Sequence, residues 1–259
     1  MSSLNPELNP EIVTDEIDSL LGGAGADTFT LRNNGDELNV LLITPQATQA
    51  DPSPSEEALG TTSNDVIYGL RENDTVSSFA GDDFINGESG NDLLFSGRGN
   101  DIVVGESGDD TVFGDRDGDT VYGGAGDDVL FGNNEDDTLF GDSGDDTIYG
   151  GKGNDELIGG TGSDLVLGDD GDDTLTGVTG RGKGYTLIQD FDPAEDTIEL
   201  IGNDSLYQLV NTEDIDTSVD LPSGTAIIFV DSEDSQLVAI VEGVSLNDND
   251  LNANYFTFF

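Results

Sequence analysis

The sequence predicts an all-β solenoid, in which two parallel sheets face each other across a thin apolar core. Three observations indicate this fold class. Residues 60–176 divide without a gap into 13 units of nine residues. The sixth residue of every unit is Asp, and the eighth is always Val, Ile or Leu. The first residue is Gly in 11 units, and the fourth is Gly in nine. A fixed short period over this length is typical of solenoids, in which each unit packs only on its neighbours.

Each unit combines a turn with a short strand. The first six positions are rich in Gly, Asp and Asn, which accept left-handed backbone angles and form turns. The last three positions, for example Thr111, Val112 and Phe113, predict a strand with one inward side chain. Two units, or 18 residues, therefore make one coil of turn, strand, turn and strand. Stacked coils place the eighth-position side chains between the two sheets.

The ninth position predicts an outward ladder on each sheet, because units two apart lie on the same sheet. Aromatic residues suit exposed strands and pair along a ladder. The alternative uses of this surface are a stripe that binds a partner and a face that packs against the terminal segments. One ladder comprises Phe95, Phe113, Phe131, Tyr149 and Leu167, and the other comprises Val104, Tyr122, Phe140 and Ile158.

The acidic turns require a counter-ion. Seven Lys and Arg stand against 56 Asp and Glu, so the formal net charge is −49. This charge excludes nucleic acid and anionic membranes as electrostatic partners. One buried aliphatic side chain per unit contributes roughly 1.5–3 kcal/mol, whereas ordering each of its nine residues costs on the order of 1–2 kcal/mol. Calcium fits best, because it accepts six to eight oxygen ligands at flexible geometry. Magnesium requires stricter geometry. Zinc prefers His and Cys ligands, which this chain lacks. A role in solubility alone explains the charge but not the nine-residue phase.

The units resemble the nonapeptide G-G-x-G-x-D-x-U-x, with U aliphatic, of RTX (haemolysin-type) calcium-binding proteins. Units 123–131 and 159–167 match every fixed position. The resemblance implies a parallel β-roll, in which calcium lies between turns two units apart. It implies that sixth-position carboxylates and carbonyls of the Gly-rich turns bind these ions.

Asp110, for example, would share ions with Asp92 and Asp128. Thirteen turns paired in this way hold about 11 calcium ions, which supply roughly +22 and cancel nearly half of the charge. The residues so assigned to metal are Asp27, Asp65, Asp74, Asp83, Asp92, Asp101, Asp110, Asp119, Asp128, Asp137, Asp146, Asp155, Asp164 and Asp173, with the turn carbonyls of Gly123, Gly126, Gly150 and Gly153.

Departures from the family pattern predict weaker or distorted sites. The fourth position holds Glu72, Asp117 or Glu135 in three units, where the turn angle favours Gly. The second position is Gly in only four units and is acidic in others, namely at Glu88, Glu106, Asp115, Asp142 and Asp169.

The N-terminal segment, residues 1–59, is predicted to contain one isolated repeat and a linker. Residues 22–30 match the repeat with Phe29 in the aliphatic place, which indicates a fragment of solenoid before the main array. Residues 36–43 predict a strand, and residues 45–59 carry three Pro and predict a linker or surface loop. The first ten residues have no basic residue and no apolar run, so we expect no secretory signal peptide.

The repeat phase decays after the array, which we bound at 60–184, and residues 185–259 predict a β-rich cap. Residues 185–200 read as strand, acidic turn and strand, and residues 225–230 and 236–241 as a hairpin. A solenoid needs such a cap to cover its last apolar layer. The acidic segment resembles tails that follow RTX arrays, especially cyanobacterial ones. The last residues resemble C-terminal type I secretion signals.

No catalytic residues are predicted. Residues 141–144 read Gly-Asp-Ser-Gly, like a serine-protease signature, but a chain without His has no Ser–His–Asp triad. The array and its flanks also leave no segment of about 100–150 residues for a catalytic domain.

The sequence therefore favours a secreted or cell-surface calcium-binding protein that leaves the cell through type I export machinery. Its roll would fold when extracellular calcium binds. No stretch approaches the 18 or so apolar residues of a membrane span, so none is expected. Two alternatives stay open. One is a calcium-dependent adhesive or structural surface protein that contacts a polysaccharide or a cell, and the other is an accessory module of a secreted hydrolase or epimerase.

Overall fold

The computed structural model describes residues 25–33, 36–44, 57–60, 62–69, 73–176, 185–200, 206–215, 221–230, 235–246 and 250–258. These residues form two sheets of 11 strands each, with short 3₁₀ helices at Thr212–Asp214 and Asp250–Asn252. No helix in these ranges is long and apolar enough to span a membrane. The predicted all-β class is confirmed.

The two sheets take alternate strands of the array. The first sheet has the spatial order β1 (Gly25–Asn33), β2 (Asp36–Thr44), β4 (Asp65–Tyr68), β6 (Phe84–Asn86), β8 (Ile102–Ser107), β10 (Thr120–Ala125), β12 (Thr138–Ser143), β14 (Glu156–Ile158), β16 (Thr174–Thr176), β18 (Thr197–Leu200) and β22 (Phe256–Phe258). The second has the order β19 (Tyr207–Asn211), β20 (Gly224–Val230), β21 (Ser235–Glu242), β17 (Thr186–Gln189), β15 (Leu165–Asp170), β13 (Thr147–Lys152), β11 (Val129–Asn134), β9 (Thr111–Arg116), β7 (Leu93–Phe95), β5 (Thr75–Ser77) and β3 (Glu57–Leu59).

Parallel pairing at a fixed offset builds the solenoid. Strand β10 pairs with β12 so that Val121 lies beside Leu139, and β11 pairs with β13 so that Leu130 lies beside Ile148. The offset is the 18 residues of one predicted coil. Two units therefore make one turn of the solenoid, and the predicted parallel β-roll is confirmed.

The core is the eighth-position row. All of these side chains are at most 1% exposed, because they point into the space between the sheets. The ninth-position side chains are half-buried, apart from Asn86 and Thr176, which are buried. The rings of Phe113 and Phe131 stack 4.7 Å apart and within 3° of parallel, as do Tyr122 and Phe140 at 4.7 Å and 5°. Both predicted ladders therefore exist as stacked rows. The core row comprises Ile67, Val76, Ile85, Leu94, Val103, Val112, Val121, Leu130, Leu139, Ile148, Leu157, Val166 and Leu175.

The solenoid continues past the last repeat. Strands β17 and β18 pair in parallel with β15 and β16, although residues 185–200 lack the repeat pattern. Strand β21 then pairs with β17, β22 pairs with β18, and β20 and β19 extend the second sheet by antiparallel pairing. The Tyr207 ring lies against Phe229 and Phe258, and so joins the ends of the two sheets. The predicted strand–turn–strand segment and hairpin are confirmed.

The N-terminal expectation needs correction. Strands β1 and β2 form an antiparallel hairpin, with Phe29 opposite Val40, and β2 joins the first sheet by parallel pairing with β4. The described part of 22–30 therefore forms one arm of a hairpin, and the isolated repeat at 22–30 stays a prediction. Residues 57–59, assigned to the linker, instead form β3 and pair with β5. Residues 1–24, 45–56 and 177–184 lie outside the described residues.

Candidate metal centres

The sixth-position aspartates line the two edges of the roll, where a turn leads into each strand. All 13 are buried, with exposures of 1–3%. The first stack comprises Asp65, Asp83, Asp101, Asp119, Asp137, Asp155 and Asp173. The second stack comprises Asp74, Asp92, Asp110, Asp128, Asp146 and Asp164.

One carboxylate oxygen of each interior aspartate ties neighbouring coils together. The backbone N–H of Asp92 donates to Oδ1 of Asp110 at 2.7 Å, and that of Asp110 donates to Oδ1 of Asp128 at 2.8 Å. The same bond recurs along both stacks. The structure thus makes Asp92, Asp110 and Asp128 successive neighbours, at the spacing that the sequence assigned to shared ions.

The second carboxylate oxygen is buried and has no hydrogen-bond donor. Within the part of the chain that the structure describes, this holds for Oδ2 of Asp92, Asp110, Asp119, Asp128, Asp137, Asp146, Asp155 and Asp173. An ionised oxygen buried without a donor or a counter-charge costs several kcal/mol. A row of such oxygens therefore has the chemistry of a cation-binding edge.

Carbonyl oxygens converge with these carboxylates at the first-position glycines. A β-carbon on Gly132 would lie 2.5 Å from Oδ2 of Asp137 and 2.6 Å from the carbonyl oxygen of Gly150. A β-carbon on Gly141 would lie 2.5 Å from Oδ2 of Asp146 and from the carbonyl of the next coil. The two oxygens take the space of a side chain at these positions, which favours Gly; Ser78 and Ser96 hold the same position in two other units, where each hydroxyl donates to the carbonyl of the next coil. Carboxylate and carbonyl oxygens side by side are a donor set suited to calcium.

The oxygens near these glycines are one carboxylate and one carbonyl oxygen rather than a cage of carboxylates. In the described ranges, no three acidic side chains come together closely enough to hold a metal. The predicted carbonyls divide into two groups. Those of Gly123 and Gly150 face the buried carboxylates through Gly105 and Gly132. Those of Gly126 and Gly153 face the fourth-position glycines of the following coil.

The turn backbone stays at positive φ where Gly is replaced, but at a smaller angle. Asp117 and Glu135 at the fourth position have φ of 70° and 72°, in the left-handed region. The acidic second-position residues lie at 67–75° as well, because a short polar turn residue tolerates this region. The fourth-position glycines have φ of 115–151°, so these turns keep a positive φ but not the same angle. Weaker ion binding at these turns stays a prediction, and Glu72 lies outside the described residues.

Burial opposes the charge of the ion-free turns. It raises the pKa of Asp119 to about 9, with the carboxylates of Asp101 and Asp137 raising it further. Burial likewise raises the pKa of Asp146 to about 8 and that of Asp128 to about 7. In each case desolvation is the largest cause, and like charges in the same stack add to it. Without cations, the folded turns favour protonated aspartates near neutral pH.

A second ladder was missed at the sequence level. Fifth-position side chains accept the backbone N–H of the fifth position one coil later, as Oδ1 of Asp109 does from Asp127 at 3.0 Å. The signal was present, because this position is Asn or Asp in 11 of 13 units. The residues that accept in this way are Asn64, Asn73, Asp82, Asn91, Asn100, Asp109, Asp127, Asp136, Asp145 and Asn154.

Asp27 differs from the other predicted ligands. It lies inside β1, where its backbone faces Leu42 of β2 in antiparallel register. It therefore belongs to neither stack of turns. Its assignment to calcium, which assumed a repeat turn at 22–27, stays a prediction, because residues 22–24 lie outside the described residues.

Comparison with known proteins supports the same family as the repeat pattern. The family model of the RTX calcium-binding nonapeptide repeat (4 copies) matches residues 13–38, 59–94, 87–121, 95–130, 113–148, 122–157 and 149–182, which together exceed half of the chain. Among solved structures, the AlgE6R3 subunit of the Azotobacter vinelandii mannuronan C5-epimerase is 18% identical. The match covers 80% of this chain and 86% of that one, with a TM-score of 0.20. No curated protein matches the sequence.

Proposed function

Because this chain belongs to the family of RTX calcium-binding nonapeptide repeat proteins, we propose that its stacked turns bind Ca²⁺ and that this binding drives the roll to fold. The observation that carries the proposal is the row of buried Oδ2 atoms without donors along both edges. Sixth-position carboxylates of neighbouring coils, with first-position carbonyls between them, supply the ligands. Seven aspartates in one stack and six in the other form about 11 neighbouring pairs, each a candidate site.

Folding is coupled to binding because the ion-free roll is electrostatically unfavourable. Its buried carboxylates have raised pKa values, and the chain carries a formal charge of −49. A ligand that binds only the folded state stabilises it in proportion to the logarithm of its concentration. Calcium at about 10⁻⁴–10⁻³ M, the range of weak extracellular modules, then favours the roll. The same chain stays unfolded at low calcium.

This switch suits a secreted or cell-surface protein. A chain that is unfolded inside the cell can thread type I export machinery, and it folds on reaching extracellular calcium. The resemblance of the C-terminal residues to type I signals supports this route. We assign the roll a binding and structural role, with no catalytic activity of its own.

The stacked ladders bear on the adhesive alternative. The rings of Phe95, Phe113, Phe131 and Tyr149 lie 4.7–4.9 Å apart and nearly parallel, so neighbouring rings cover each other's faces. A sugar ring stacks on a free aromatic face, and only ring edges point outward along this row. An adhesive role therefore depends on the acidic edges more than on the ladders.

Far-UV circular dichroism of the ion-free chain, titrated with calcium and in parallel with magnesium, tests the proposal. We expect a cooperative transition from coil to β structure with calcium alone. Magnesium should fail, because it demands near-ideal octahedral geometry and gives up its waters reluctantly. A chain that is already β-structured in chelator, or that folds equally well with magnesium, would refute the switch.

A further inference from the structure

The two stacks of aspartates end differently at the C-terminal end of the array. In the first stack, the backbone N–H of Asp173 donates to Oδ1 of Asp196 at 3.2 Å. This bond repeats the contact between Asp155 and Asp173, which measures 2.9 Å. Strand β18 pairs with β16 through Thr174 and Thr197, so Asp196 occupies the sixth position of a further coil. Residues 190–196 thus extend the first stack although they lie outside the repeats.

The second stack ends on a hydroxyl group. Leu165 pairs with Leu187, which places Thr186 one coil beyond Asp164 in the sixth position. Thr186 is buried at 2% exposure, and its side chain hydrogen bonds to Asp164. Oδ2 of Asp164 nonetheless lacks a hydrogen-bond partner in the described part of the chain, as Oδ2 of Asp173 does. The two stacks differ in the group one coil further on, which is the Thr186 hydroxyl in the second stack and the Asp196 carboxylate in the first.

Asp173 carries an unsatisfied oxygen at the last repeat of the first stack. It is 1% exposed, and in the described part of the chain its Oδ2 has no hydrogen-bond partner. Asp196 is 7% exposed and accepts the N–H groups of both Asp173 and Asp192, the latter at 2.7 Å. Asp190 holds the turn against the array, because its carboxylate accepts the N–H groups of Gly168 and Asp169 at 3.3 and 3.0 Å.

We infer that Asp173 and Asp196 form one additional site for a hard divalent cation, beyond those of the repeats. The site takes two carboxylates from neighbouring coils, as the repeat pairs do, and completes its shell from turn carbonyls and water. It fastens residues 190–196, and through β18 the cap, to the roll. The second stack has a hydroxyl group and not a carboxylate in this place, so it gains no further pair. This inference rests on the proposed function, since it extends the same pairing by one coil.

Counting bound calcium by native mass spectrometry of the full chain tests the inference. Asp196→Asn should bind one ion fewer than the wild type. Glu195→Gln, which removes the same charge from an exposed side chain of the same turn, should match the wild type. The inference is overturned if Asp196→Asn binds as many calcium ions as the wild type. It is also overturned if Glu195→Gln loses an ion as Asp196→Asn does.

Asp196→Asn also removes one of the two carboxylate oxygens that accept backbone N–H groups, so it could disturb the turn itself. A reciprocal variant therefore provides a second test. Thr186→Asp places a carboxylate opposite Asp164 and should bind one ion more than the wild type. An unchanged count in this variant overturns the rule that a sixth-position pair makes a site. If the wild type itself bound no calcium, the proposed function would fail instead, so the two failures are distinguishable.

Discussion

Replacing Asp128 by Asn should change the stability of the roll in opposite directions with and without calcium. Asn is nearly isosteric and keeps an oxygen that accepts the Asp110 N–H at 2.8 Å. Burial raises the pKa of Asp128 from 3.8 to about 7, so at pH 8 the folded ion-free chain must charge a group that resists it. About three pH units correspond to about 4 kcal/mol. Allowing for relaxation and water entry, the neutral side chain should stabilise the ion-free roll by on the order of 2–4 kcal/mol.

With calcium the same substitution removes a carboxylate from two proposed sites. Removing one partner of a buried charge pair typically costs about 3–5 kcal/mol. The ion-free arm is a titration with a folding osmolyte in chelator, followed by far-UV circular dichroism. The calcium arm is urea unfolding at saturating calcium. Asp127→Asn is the matched control, because it makes the same charge change at the adjacent exposed position.

Either of two results would refute this reasoning. If Asp128→Asn destabilised the roll equally in chelator and in calcium, its buried charge would not be what opposes ion-free folding. If Asp127→Asn produced the same pair of shifts, the effect would come from net charge and not from the buried oxygen.

Three further predictions concern the core, the turns and pH. Leu130→Ala should lower the free energy of unfolding in calcium by about 2–5 kcal/mol, measured with urea, because Leu130 is fully buried in a one-residue-thick core; a loss below 1 kcal/mol would contradict the packing. Gly126→Ala should raise the calcium midpoint of folding, because Gly126 has φ +138° and its β-carbon would collide with the Gly108 carbonyl; an unchanged midpoint would place the strain elsewhere. In chelator, the ion-free roll should gain stability as pH falls from 8 to 5. The folded-state pKa values run from about 6 for Asp101 to about 9 for Asp119, above the unfolded value near 4. The stability that protonation of these aspartates gives the folded roll is therefore complete below pH 4 and is lost as pH rises through 6–9. Circular dichroism across this range tests the sign, and β content that rises with pH would contradict it.

Much of the fold was predictable because a nine-residue phase determines which side chains share a face. The aliphatic row around Leu130 and the stacked rings of Phe113 and Phe131 follow from position in the unit alone. The hairpin of β20 and β21 was readable because two β-rich runs flank an acidic loop. In each case the sequence separation between residues that contact each other can be read from the local pattern.

The remainder depended on contacts that no local pattern encodes. The strand of the repeat-like residues 25–30 pairs in antiparallel register with the next segment, β2, which the repeat pattern does not predict. Asp196 occupies a sixth position only because the seven-residue turn 190–196 returns the chain to the same edge. The fifth-position ladder was visible in composition, but turn propensity alone already explained its Asn and Asp residues. Positive φ at Glu135 shows that stacking overrides an intrinsic preference for Gly.

The constant offset between paired strands has a consequence for how fast the protein forms. Sheets usually assemble slowly, because distant parts of the chain must meet before any contact repays the lost entropy. Here each repeat strand pairs with a strand 18 residues away. In a chain of this length that separation gives the array a relative contact order of about 0.07, within the range of helical bundles. Once two coils have met, each later coil adds locally to a finished end. The rate of assembly should then follow the supply of cations more than the search of the chain, and it should change little when whole coils are added or removed.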